Sequence, residues 1–319
     1  MTIRTMTDVP GFRVGHWTNL TAITGCTVVL CPPQTTPGCD VRGNSPGSRE
    51  LMLLGSEKSM QEVHAILLAG GSAYGLAAAD GIMRYLEEND IGYETPWAKV
   101  PIVPSAVIFD LNVGDKKIRP DASAGYTACQ AAKSPNDEQG SFGAGTGATV
   151  GKWAGSEYRM KGGLGTTSIT FEEIKVGALA VVNAVGDVVD ADGSILAGAR
   201  LRTGEFVATK DRRSRFRQAI APLGTNTTLA VSATNVRLSK LDCNRVAQRM
   251  HNGLARAIVP VHTLYDGDTT ICLASGPVAA SLDVVAQIAV EATAEAIRNA
   301  VRSAKSLGGV PGRLDEFES

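Results

Sequence analysis

Gly224-Thr225-Asn226-Thr227-Thr228-Leu229-Ala230-Val231 is a polar turn that runs into a strand. Its small hydroxyl side chains stand where a strand should already have become apolar. Further along come Asp266-Gly267-Asp268, two acids on a tight glycine turn. Taken singly, each piece has an ordinary reading. Asn-Thr ahead of a strand is commonly a turn closed by a side-chain hydrogen bond, and Asp-Gly-Asp commonly caps a hairpin. What else the chain offers decides whether they are more than that.

The chain has 319 residues, and α/β domains of this size are often single. Hydrophobic residues make up 44% but aromatics only 5%, so the core is expected to be aliphatic, with Ala and the 35 Gly bringing elements close together. A formal net charge of −1, with no long run of like charge, argues against a nucleic-acid surface or a polybasic membrane patch. The short basic cluster Lys210-Asp211-Arg212-Arg213-Ser214-Arg215 is interrupted by an acid and reads as a solvated loop. None of the six cysteines is spaced C-x-x-C, so neither a zinc ribbon nor a redox motif is suggested. Reduced thiols are expected, and Cys272 sits in an apolar run that suits a core position. Met1 to Val14 lacks the apolar stretch of a secretory signal, and no segment has the length and hydropathy of a membrane helix, so a cytoplasmic protein is expected.

Periodicity gives a mixed α/β pattern. Strands are expected at Gly25–Cys31, His64–Ala69, Val100–Leu111, Thr166–Phe171, Ile174–Val182, Asp187–Val189, Thr227–Thr234 and Thr269–Ala274. Helices are expected over Ala73–Asn89, Asp121–Lys133, Lys240–Arg256 behind a Ser239 cap, and Ser281–Leu307. Cys39 to Glu50, rich in Gly and polar residues, reads as a loop. Short hairpins dominate the middle of the chain. The expected architecture is therefore one domain, residues 1–319, of two stacked, mainly antiparallel sheets covered by helices.

Several motifs fail on inspection. Gly70-Gly71-Ser72-Ala73-Tyr74-Gly75 follows a strand and opens a helix, but a nucleophile elbow would need Gly where Tyr74 stands. Gly143-Ala144-Gly145-Thr146-Gly147 misses the dinucleotide fingerprint, and Gly151-Lys152-Trp153 lacks the Ser or Thr of a phosphate-binding loop. The four histidines make no metal-ligand spacing, so neither a metal nor another cofactor is expected.

The whole ensemble, in order, resembles the P1 family of self-processing peptidases, also called peptidase family S58. This is the group of the L-aminopeptidase/D-esterase, the β-peptidyl aminopeptidases and the nylon-oligomer hydrolase. The likeness rests on Asn226-Thr227-Thr228-Leu229-Ala230-Val231, Ala233-Thr234-Asn235, His262-Thr263 and Asp266-Gly267-Asp268-Thr269. Upstream it includes Asp40-Val41-Arg42-Gly43, Gly70 to Leu76, Ser105-Ala106-Val107-Ile108, Gly151-Lys152 and Val182-Asn183. It implies an N-terminal-nucleophile-hydrolase-like fold and self-cleavage between Asn226 and Thr227, giving an α chain of residues 1–226 and a β chain of residues 227–319. The family's nucleophile falls on Thr227, its partner acids on Asp266 and Asp268, its lysine on Lys152 and its amide on Asn183. Gly71, Ser72 and Tyr74 are the candidates for contacting substrate. A homo-oligomer of αβ units, a tetramer or larger, is implied as well. A tyrosine near the active site of some members has no counterpart here, where the Val107-Ile108 strand runs on to Phe109.

The chemistry fits those residue types. A threonine hydroxyl is a poor nucleophile that needs a base, and cleavage before Thr227 would free an α-amine on the same residue. A cationic Lys152 nearby would favour the neutral amine. Asn183 is a neutral donor suited to an oxyanion hole, typically worth about 3–4 kcal/mol in the transition state. Asp266 and Asp268 could accept from the Thr227 hydroxyl or amine, or one of them could support Lys152. The expected activity is hydrolysis of amide or ester bonds in small peptides or amino-acid amides, of aminopeptidase type. Hydrolysis of ω-amino-acid oligomers on the same fold is the alternative. Two further alternatives are a serine hydrolase using Ser72 and an uncleaved, non-enzymatic ligand-binding protein.

Overall fold

Ten strands and four helices carry the architecture of the computed structural model, which describes residues 4–210 and 225–316. Gly224, the basic cluster beyond Lys210 and the last residues of the tail lie outside the described residues. The strands are β1 (Arg13–Asn19), β2 (Thr24–Leu30), β3 (Thr36–Val41), β4 (Gly47–Arg49), β5 (Ala65–Ala69), β6 (Ser105–Val107), β7 (Gly163–Phe171), β8 (Ile174–Asn183), β9 (Thr227–Val236) and β10 (Thr269–Val278). The helices are α1 (Ala78–Glu88), α2 (Ala122–Gln130), α3 (Lys240–Ala257) and α4 (Leu282–Arg302).

Two five-stranded sheets stack face to face, in the orders β1-β2-β5-β6-β4 and β7-β8-β9-β10-β3. In each, one pair is parallel (β5 with β6, β9 with β10) and the rest are antiparallel. The period-2 alternation of the strands decides the layers. Ile66 and Leu68 of β5 meet Leu229 and Val231 of β9 between the sheets. The alternate residues Ala65 and Leu67 turn outward to α1 and α2, and Ala230 to the side covered by α3 and α4. Both faces of β5 are thus buried, which is why its sequence is apolar throughout. The stacked-sheet expectation holds, and Cys272 lies in the core.

The expected elements shift in places. Cys39–Glu50 is not a continuous loop, because β3 reaches Val41 as an edge strand on β10 and β4 pairs with β6. Pro37 is tolerated on an edge, and Gly38 serves packing: a Cβ there would come within 2.3 Å of the Asn244 nitrogen of α3. Of Val100–Leu111 only Ser105–Val107 joins the main sheet. The helix expected from Ala73 opens as a tighter 3-10 segment, Ser72–Ala77, before α1. The last long helix ends at Arg302.

The Ala- and Gly-rich composition is used where α4 lies on β7. A Cβ on Gly165 would come within 2.1 Å of the Ala296 carbonyl oxygen and 2.3 Å of the Ala300 nitrogen. Gly165→Ala is therefore expected to destabilise the fold by about 1–3 kcal/mol through overpacking. The readout is a lower urea midpoint at unchanged slope.

Candidate active site

Three strand ends meet at one edge of the second sheet. β9 opens at Thr227, and its antiparallel neighbour β8 closes at Asn183, directly opposite in register. The parallel neighbour β10 opens just after Asp266-Gly267-Asp268, and Asn226 makes an isolated parallel bridge to Asp266. Thr227 is buried, only 4% exposed, and Asn226 is fully enclosed.

The Thr227 hydroxyl donates to the carbonyl of the residue before it, Asn226, at 2.5 Å. The same carbonyl accepts the Gly267 N–H at 2.9 Å. Neither acid receives the Thr227 hydroxyl. Asp268 accepts the Thr228 N–H on one oxygen (2.7 Å), and the His262 N–H and ring Nδ1–H on the other (3.2 and 2.8 Å). Asp266 accepts the Val185 N–H on one oxygen (3.2 Å), and the Thr263 N–H and hydroxyl on the other (3.1 and 2.6 Å). The two carboxylates clamp the Gly267 turn from both sides.

The glycine run ends by delivering Lys152. Gly151 takes a left-handed conformation (φ 73°), its N–H donates to Gly186, and the chain turns inward there. Lys152 Nζ donates to the Asn183 backbone carbonyl (3.1 Å) and side-chain oxygen (2.9 Å). Burial pushes this amine down to about 7, although Asp266 pulls the other way. Burial, and then the neighbouring Asp268 charge, raise Asp266 to about 6 against the hydrogen bonds it accepts.

Asn183 is the hub of this edge. Its side-chain oxygen also takes the Thr149 N–H (3.0 Å), while its amide nitrogen donates to the carbonyls of Phe109 (3.1 Å) and Thr225 (3.3 Å). Both of its N–H bonds are thus committed. The structure brings Thr227, Asn226, Asp266, Asp268, Lys152 and Asn183 together.

Gly71, Ser72 and Tyr74 stand farther out. The Gly71 N–H caps the buried Asp110 (2.7 Å), and the Ser72 N–H bonds the Ile108 carbonyl (2.9 Å), so Ile108-Phe109-Asp110 links this turn to Asn183. Tyr74 is exposed, with the Arg119 guanidinium stacked 4.0 Å from its ring centre. Among the described residues, no histidine or carboxylate hydrogen-bonds the Ser72 hydroxyl, as an elbow nucleophile would need.

Sequence reasoning missed two contributors. The Gly267 N–H leaves no trace in residue type. His262 carries part of the family likeness and makes no metal spacing, but sequence assigns it no role; its ring Nδ1 hydrogen-bonds Asp268, and the ring stands edge-on to His251 at 4.7 Å. Its one visible signal is position, just ahead of the Thr263–Asp266 turn. Among the described residues, no group of three or more His, Cys, Asp or Glu could hold a metal, and no helix is long and apolar enough to cross a membrane.

Comparison with known proteins bears on the same chemistry. An uncharacterized aminopeptidase of Mycobacterium leprae is 43% identical, covering 97% of this chain and 93% of its own. A 6-aminohexanoate-oligomer endohydrolase of Kocuria is 33% identical, over 82% of this chain and 72% of its own. Two solved structures share the fold. A β-aminopeptidase of Burkholderia has a TM-score of 0.73 at 22% identity, over 99% of this chain and 94% of its own. The L-aminopeptidase/D-Ala-esterase/amidase of Ochrobactrum anthropi, described as a variant of the Ntn hydrolase fold, has 0.72 at 21%, over 97% and 89%. The profile of peptidase family S58 matches residues 4–314, and the chain belongs to that family of hydrolases acting on peptide and amide bonds.

Proposed function

We propose that the chain cleaves itself between Asn226 and Thr227, and that Thr227, now the first residue of the β chain, attacks amide bonds of small peptides or amino-acid amides as an aminopeptidase. The observation that carries this reading is the Thr227 hydroxyl resting on its own upstream carbonyl at 2.5 Å. A hydroxyl so placed needs little movement to reach the carbon.

In the uncut chain Thr227 has no free amine to act as base. Lys152 supplies one: held on Asn183, the cross-strand partner of Thr227, and brought to about 7 by burial, it is substantially neutral near physiological pH. After cleavage, the Thr227 amine takes over as base for hydrolysis. Departure of Thr225 would release one N–H of Asn183 beside Thr227, where it can stabilise the substrate's oxyanion. Asp266 and Asp268 hold the turn that faces the scissile bond.

The aminopeptidase reading is supported by the naming of the more similar relatives. Hydrolysis of ω-amino-acid oligomers is the second reading, favoured by the Kocuria relative. The same proposal has the enzyme working in the cytoplasm as a homo-oligomer of αβ units, a tetramer or larger. Exposed Met52, Trp97 and Leu264 side chains offer apolar surface for such contacts.

Intact-mass measurement on purified protein is expected to show two fragments, residues 1–226 and 227–319, and Thr227→Ala a single species of 33.3 kDa. An uncut wild type that still hydrolyses amides would sink the Thr227 mechanism. The cleavage rate of freshly made chain should rise as Lys152 deprotonates through about pH 7 and level off above it. Lys152→Met should remove that rise and slow cleavage roughly 10²–10⁴-fold. A pH profile unchanged in the variant would show that another group is the base. Asn183→Asp keeps the oxygen that anchors Lys152 but loses the donors. It is expected to lower kcat on an amino-acid p-nitroanilide by about 10²–10³-fold.

A further inference from the structure

The self-cleavage reading above leaves one requirement open. When the Thr227 oxygen attacks, the Asn226 carbonyl oxygen gains negative charge and needs a donor. Thr227 itself cannot serve, because its hydroxyl gives up the proton as the new bond forms. Asn183 cannot serve in the uncut chain, because its amide hydrogens are turned to Phe109 and Thr225. The remaining donor seen on that oxygen is the Gly267 main-chain N–H at 2.9 Å.

We propose that the Gly267 N–H is the oxyanion donor for self-cleavage, so that cutting the chain and hydrolysing substrate use different donors. This rests on the reading that Thr227 attacks Asn226. The step balances without a co-reactant. The Oγ1–H bond breaks and an Oγ1–C bond to Asn226 forms. The Asn226–Thr227 C–N bond breaks and the proton ends on the Thr227 nitrogen. Water then opens the ester, giving the Asn226 carboxylate and the free hydroxyl and amine of Thr227.

The surroundings are built around that one N–H. Asp266 and Asp268 spend their hydrogen bonds on Val185 and Thr263 and on Thr228 and His262, which pins the turn between them. The residue between them has to be glycine. A Cβ there would lie 2.8 Å from the Thr227 hydroxyl oxygen and 2.6 Å from the Ser45 carbonyl oxygen. The two acids are therefore positioning residues during cleavage: their carboxylates bond neither the Asn226 carbonyl nor the Thr227 hydroxyl and act on that carbonyl by holding Gly267.

The test replaces the Gly267 peptide N–H by an ester oxygen, using glycolic acid delivered by a suppressor tRNA in cell-free synthesis of the full chain. Cleavage is followed by gel from the time of synthesis. The expected result is a half-life lengthened roughly 10²–10³-fold, the loss seen when one oxyanion donor is removed. Cleavage within threefold of wild type overturns the proposal. Thr227→Ala, run in parallel, separates the two claims: if that chain is cut, the nucleophile assignment itself fails. Should the ester chain misfold, hydrogen exchange on the uncut Thr227→Ala protein decides. Gly267 is expected to be strongly protected there, since its partner carbonyl remains. Exchange at the rate of an unstructured peptide would overturn the assignment.

Discussion

The site depends on the parallel pairing of β9 and β10. Parallel strands begin at the same edge of a sheet, and they need a crossover between them, here supplied by α3. Because both strands start together, Thr227 and the Asp266-Gly267-Asp268 turn are neighbours although α3 separates them in sequence. β8 runs antiparallel to β9, so its last residue, Asn183, arrives at the same edge. One topological choice thus collects a hydroxyl, a turn with two accepting carboxylates and one donating N–H, and an amide, and the glycine run needs only to add Lys152.

Burial then sets their chemistry. Lys152 and Asp266 are both buried, and desolvation disfavours the charged form of each, drawing an amine down and a carboxyl up toward neutrality. In water the two groups would differ by many pH units and neither would exchange protons readily near pH 7. Here they stand at about 7 and about 6. Under the proposed chemistry, such a pair near a hydroxyl that needs a base is what would make these strand ends a reaction centre rather than a turn of ordinary polarity.

Much of this was legible in the residues. The apolar run in β5 announced a strand covered on both faces, and the short hairpins announced stacked sheets. Thr227, Asp266, Asp268, Lys152 and Asn183 were named through the resemblance to the family, with residue types that fit the proposed roles, and the fold brings them together. The illegible parts are of two kinds. β3 was hidden because Pro37 and Gly38 look like loop residues, when one sits on a sheet edge and the other makes room for α3. The Gly267 N–H was hidden because a main-chain donor has no residue type; only its direction matters, and direction is a property of the fold. His262 fell between the two, a titratable residue whose partner Asp268 lies across a turn that sequence spacing does not close.

The dependence on three strand ends also orders events in the life of the chain. Before folding, Asn226-Thr227 is an ordinary peptide bond with no base and no aligned donor near it. The hydrogen bond from Gly267 to Asn226, the cross-strand pairing of Asn183 with Thr227 and the enclosure of Lys152 all require β8, β9 and β10 to be assembled. Under the proposed chemistry, cleavage must then follow folding, and the uncut chain must form the complete second sheet on its own. Thr225 and Asn226 contribute to that state, through the bond from Asn183 and the bridge to Asp266, and both bonds end on residues upstream of the proposed cut. On that chemistry, the segment that helps the site form is the one that would have to move before a substrate could take its place.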